Sequence, residues 1–141
     1  MHTRSAFFLL LAVGLAALGC KSKPSLVGDW SGTFSVQGVE VNAEFKFGGD
    51  GTVQIVQTAM GQSSTQKGTY TSDEKQFTVT ETSVESATMP KAMLDQVNST
   101  LQKTPRKLIF DCTWKDNDTI SITQRDAPAP MNLPITLKRK K

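Results

Sequence analysis

The sequence predicts an all-β domain of about eight short antiparallel strands, interrupted by one amphipathic helix. Three observations carry this. Over most of the chain, β-prone runs alternate with turn signals about every eight to twelve residues, the rhythm of a sandwich or barrel. Residues 39–47 alternate cleanly, with Val39, Val41, Ala43, Phe45 and Phe47 on one face and Glu40, Asn42, Glu44 and Lys46 on the other, the pattern of a half-buried strand. Residues 90–103 abandon that period: Met93, Val97 and Leu101 fall at i, i+4 and i+8, which puts them on one face of a helix.

The elements follow in order. Residues 28–36 open the domain, with Trp30, Phe34 and Val36 sharing a face and Gly32 between them. Gln37-Gly38 turns the chain into the 39–47 strand, and Gly48-Gly49-Asp50-Gly51 turns it again, because glycine adopts positive φ without steric cost. Residues 52–59 form the next strand, with Val53 and Ile55 inward. A turn is expected at Gly61-Gln62-Ser63-Ser64, a strand over 65–71, a turn at 72–75 and a strand over 76–82 carrying Phe77 and Val79 on one face. Pro90 suits the first helical turn and Pro105 stops the helix. Residues 106–114 resume alternation, with Leu108, Phe110, Cys112 and Trp114 on one face. After a turn at 115–118, strands are expected over 118–125 and 133–139, the last with Ile135 and Leu137 inward.

The N-terminus reads as an export signal and a lipid anchor. Residues 1–4 carry one positive charge and no acid, and residues 6–18 are an unbroken apolar run with one glycine. Thirteen such residues are too few for a spanning helix, which needs about 20, but they suit the apolar core of a secretory signal. Ala17-Leu18-Gly19-Cys20 resembles the lipobox of bacterial lipoproteins, with Ala17 where that family usually has Leu. The resemblance implies cleavage after Gly19 and diacylation of Cys20. Two acyl chains hold a membrane stably where one does so marginally. Residues 20–25 then form the whole tether and 26–141 the folded domain. Lys21 stands where an Asp would signal inner-membrane retention in that family, which points to the outer membrane, facing the periplasm, in a cell that has one.

Composition excludes several functions. Without Arg4 the mature chain has 15 basic and 13 acidic side chains, so bulk charge gives no case for nucleic acid. The single histidine, His2, lies in the export signal. The mature chain therefore lacks His-based nucleophilic catalysis and His-ligated metal sites. With Cys20 lipidated, Cys112 has no partner for a disulfide, and its inward position predicts an inert thiol. Asp116-Asn117-Asp118 has clustered oxygen donors but lacks the glycine and glutamate of a calcium loop, and reads as a hairpin turn. No cofactor or metal is expected.

Leu26-Val27-Gly28-Asp29-Trp30 resembles the Gly-x-Trp signature of lipocalins and small bacterial lipocalin-like domains. Phe47-Gly48-Gly49-Asp50-Gly51-Thr52 and Gly68-Thr69-Tyr70 are similar to a hairpin and a strand that recur in bacterial lipocalin-like lipoproteins. The resemblance spans about residues 26–82. It implies a meander barrel whose closed end is plugged by Trp30 and covered by an arginine, for which Arg125 and Arg139 are the candidates.

An eight-stranded barrel is just wide enough to be filled by side chains or to hold one small ligand, and the sequence leaves both open. Trp30, Phe45, Phe77, Phe110 and Trp114 are the candidates for plugging the barrel end or lining a ligand site. Met93, Val97 and Leu101 are the candidates for a lid. The expected function is a non-enzymatic, membrane-anchored module that binds a small apolar molecule or lipid. The alternative is a filled barrel that docks an envelope protein. The basic run Lys138-Arg139-Lys140-Lys141 is either a solvated terminus or a second contact with anionic lipid.

Overall fold

The computed structural model describes residues 24–128 and 132–141. The expected export signal, the expected lipid-attachment residue Cys20 and the first part of the expected tether lie outside the described residues. The strands are β1 (Gly28–Val36), β2 (Val39–Phe47), β3 (Thr52–Ala59), β4 (Gln62–Ser72) and β5 (Gln76–Ser86). After helix α1 (Lys91–Lys103) come β6 (Arg106–Asp116), β7 (Thr119–Gln124) and β8 (Ile135–Arg139). Each strand pairs antiparallel with the next, and β8 returns to β1 through Trp30↔Arg139 and Ser31↔Lys138, so the meander closes into a barrel. This is the predicted fold class.

Two boundaries move for a physical reason. The polar residues 62–64, expected as a turn, belong to β4, because the β3–β4 connection needs only Met60 and Gly61. Both have positive φ (52° and 75°), as do Gln37 and Gly38 in the first hairpin (51° and 80°). Two consecutive positive φ values match the twist of paired strands. Likewise β5 runs four residues beyond the expected end, to Ser86. In both strands Ser, Thr and Gln resemble loop composition, yet their backbones pair across residues 64–86. Val39, expected inward, is exposed at the tip of the first hairpin, paired with Val36.

The motif residues act as a unit. Gly48 O accepts a hydrogen bond from the Tyr70 hydroxyl at 2.9 Å, and Gly51 O accepts one from the Tyr70 N–H at 2.9 Å. The β2–β3 hairpin is thereby pinned to β4. Gly68 lies at a bulge between β4 and β5, where a Cβ would fall 2.0 Å from Thr80 O. Only glycine fits that approach.

The core sits toward the barrel end formed by the 48–51, 73–75 and 117–118 turns. Phe47 packs edge-on against Phe77 and Tyr70, with ring centroids 5.3 and 4.9 Å apart, and Phe77 stacks on Phe110 at 4.7 Å. Val53, Val79 and Ile120 complete this layer, all buried.

Helix α1 does not close the barrel mouth. It packs along β5, whose last residues outrun their β6 partner: the β5–β6 ladder ends at Glu81↔Arg106. Asn98 supplies the missing partner. Its Oδ1 accepts from the Val84 N–H at 2.7 Å and its Nδ2 donates to Val84 O at 3.0 Å, as a neighbouring strand would. An uncovered strand edge invites pairing with other chains, and a covering helix removes it.

Candidate functional site

The two ends of the barrel differ. At one end Trp30 is fully buried, and its Nε1 donates to Leu26 O at 2.8 Å. Trp114 packs edge-on to it, with centroids 5.8 Å apart. The Arg139 guanidinium carbon lies 4.3 Å from the Trp30 ring centroid, a cation–π contact. Arg139 also donates to the carbonyls of Val27, Ser25 and Asn117 at 2.6, 2.7 and 3.1 Å and to the Asp118 carboxylate at 3.1 Å. Gly28 is required here, because it has a φ of +127° and a Cβ on it would meet Arg139 Nη1 at 2.9 Å. The covering arginine is therefore Arg139. Arg125 is instead on the outer surface, with its Nη2 donating to the Asp111 carboxylate.

The opposite end holds a cavity of about 190 Å³ inside the barrel. Its floor is Phe45, Ile55, Phe110 and Ile122, all buried. Its wall rises through Phe34, Leu108 and Ile135, which are partly exposed. That gradient of exposure marks the open mouth. The rim carries Gln57, Gln66, Gln124 and Arg106. None of the three glutamine side chains has a hydrogen-bond partner among the described residues.

Among the described residues Arg106 is the one ionisable side chain of the lining, and it is already paired. Its Nε and Nη2 donate to Oε2 and Oε1 of Glu81 at 2.8 and 2.9 Å. The Glu81 side chain is 0% exposed and that of Arg106 56% exposed, so the carboxylate is interred and the guanidinium reaches the mouth. The pair terminates a tilted row of partners, Phe47, Val53, Gly68, Glu81 and Arg106, that climbs from the closed end to the open one. Such climbing rows follow from the strand tilt of a closed barrel.

Of the predicted site residues, Phe45 and Phe110 lie in the cavity floor. Phe77 is fully buried in the layer beneath it. Trp30 and Trp114 belong to the closed end. The three lid candidates do not line the cavity. Val97 and Leu101 border a separate groove that shares only Arg106 with the cavity, and Met93 is 53% exposed. The helix is drawn to the β5 edge by the backbone groups of Val84, which is why its apolar stripe does not reach the mouth.

Sequence reasoning missed Glu81, Arg106 and the three glutamines. A signal for the first two was present. Glu81 shares the inward parity of Phe77 and Val79, and Arg106 that of Leu108 and Phe110. A charge on the inward face of each of two strands is the expected mark of a buried pair.

Cys112 is partly buried beside this core, and desolvation pushes its thiol up to about 12. No model of a known protein family matches the chain, and no curated protein matches it either.

Proposed function

We propose that this protein is a lipid-anchored, non-enzymatic binding module that takes a small, largely apolar molecule into the open end of its barrel. The observation that carries this reading is the cavity. Only one end of the barrel is filled by aromatic side chains, and the other leaves about 190 Å³ over an apolar floor. Well-formed ligand sites are concave, mostly apolar and furnished with a few polar groups. This one is smaller than the roughly 300–1,000 Å³ usual for them, so it suits a short chain or a single ring. An apolar cavity of about 150 Å³ takes up benzene.

The tether supports an orientation. Ser25 and Leu26 are held at the plugged end by Arg139 and Trp30. A lipid on Cys20 would leave the domain from that end, and the mouth would face away from the membrane. The site would then sample solutes of the envelope space rather than the bilayer interior.

Native mass spectrometry of the protein purified from membranes tests the proposal, together with toluene uptake followed by NMR. A non-covalent small-molecule adduct, or toluene shifts confined to the methyl groups of Ile55, Ile122, Leu108 and Ile135, is the expected result. Ala43→Leu, which adds bulk to the cavity wall, should reduce both. Bare polypeptide mass together with no toluene uptake would refute the cavity reading. For the anchor, Cys20→Ala should abolish lipidation; a mutant still lipidated would sink that part.

A further inference from the structure

Resting on the cavity reading above, we infer that the ligand is an uncharged molecule with a carboxamide-like head group, an apolar body inward and its head among Gln57, Gln66, Gln124 and Arg106.

The charge at the rim decides the head group. Arg106 is the one ionisable residue lining the cavity among the described residues. A lone guanidinium there would select an anion. Here the fully enclosed Glu81 carboxylate already occupies its Nε and Nη2. An anionic head entering the mouth meets the guanidinium first, but the Glu81 carboxylate lies directly behind it, so the pair it faces has no net charge. The carboxylate offsets much of that attraction, and the cost of stripping water from the incoming charge is only partly returned. A cation meets the reverse arrangement, with the guanidinium in front of the carboxylate.

An uncharged polar head faces no such penalty. Each glutamine amide offers both a carbonyl acceptor and N–H donors, and each can turn about its terminal torsion to present either. The three rim glutamines reach solvent and have no hydrogen bond to break with another side chain or backbone group among the described residues. A head that both donates and accepts, such as a carboxamide, satisfies them. Nη1 of Arg106 takes no part in the Glu81 pair and can donate to the head-group oxygen. The floor complements a flat apolar body, since Phe45 and Phe110 meet edge-on with centroids 5.9 Å apart and Phe34 stands above them in the wall.

The test compares three ring probes of similar size: toluene, benzamide and benzoate. Binding to the purified protein at neutral pH is followed by NMR of the glutamine side-chain amides and the floor methyls. Benzamide should bind at least tenfold more tightly than benzoate and shift the amide signals of Gln57, Gln66 and Gln124. Glu81→Gln removes the opposing charge and should bring benzoate to or above the affinity of benzamide. Gln66→Leu, a second variant, should weaken benzamide while toluene still enters. Benzoate binding as tightly as benzamide to the unmodified protein would overturn the inference. Uptake of toluene without benzamide would overturn it too, and would leave the cavity reading standing. Exclusion of all three probes would remove that reading along with it.

Discussion

Replacing Arg106 by alanine should destabilise the barrel far more than replacing Glu81 by glutamine, although both break the same ion pair. The asymmetry comes from burial. The Glu81 side chain is 0% exposed, whereas that of Arg106 is 56% exposed. Removing one partner of a buried pair and stranding the other costs about 3–5 kcal/mol. The low end applies, because Arg106 stands at the mouth and part of the interaction is screened by water, giving about 3 kcal/mol for Arg106→Ala. Glu81→Gln leaves a guanidinium that solvent can reach and an amide oxygen that still accepts from it, so about 1 kcal/mol is expected. For a domain of this size 1 kcal/mol moves Tm by about 4 °C. Arg106→Ala should therefore lower it by about 12 °C and Glu81→Gln by about 4 °C, in urea or thermal unfolding followed by circular dichroism. In the double variant no buried charge is stranded, and it should be more stable than Arg106→Ala alone. A cost for Arg106→Ala equal to or below that of Glu81→Gln would refute the reasoning.

Asn98→Ala removes both hydrogen bonds to the Val84 backbone. It should cost about 2 kcal/mol, at about 1 kcal/mol per bond, with faster amide exchange confined to the end of β5 and to α1. Cys112, whose thiol is pushed up to about 12 from an ordinary 9.0, should carry ~10³-fold less thiolate than a free thiol at the same pH. Titration with a thiol reagent at pH 8 should be slow in the folded protein and immediate in denaturant. Three carboxyls lie below their ordinary values: Glu44 through its hydrogen bond from Lys140, Asp50 through the Thr52 hydroxyl and N–H, and Asp73 through the N–H groups of Lys75 and Gln76. A depressed folded value contributes stability that is fully present above the ordinary carboxylate range and is lost as pH falls through the folded value. Tm should accordingly decline on acidification below about pH 4, and Asp50→Asn with Asp73→Asn should flatten that decline.

Much of the fold was legible because its signals are local. The period-two alternation of residues 39–47 names the inward face of β2, and all but the hairpin-tip Val39 are buried there. The Gly-Gly-Asp-Gly turn shows its chemistry in its own residues: the Asp50 carboxylate accepts from the Thr52 N–H and hydroxyl at 3.1 and 2.6 Å. Helix α1 begins and ends within a residue of where Pro90 and Pro105 put it. The ends of β4 and β5 were less legible, because a Ser/Thr/Gln run is compatible with a loop and with a solvated strand. The ladder of a neighbouring strand decides between them.

The candidate site was legible only in part, since contacts across a barrel depend on register and tilt. The sequence by itself determined the all-β class, the order of strands and helix, the inward aromatic residues and the want of histidine chemistry in residues 20–141, since each follows from local period, turn residues or composition. The tertiary structure decided that Arg139 and not Arg125 covers Trp30, that α1 seals an edge instead of a mouth, and that Glu81 meets Arg106 beside the three glutamines of the cavity rim. These partners lie between about 14 and 109 residues apart in the chain. The closure of eight tilted strands brings them together, and a shift of one residue in register would turn every one of those side chains to the opposite face.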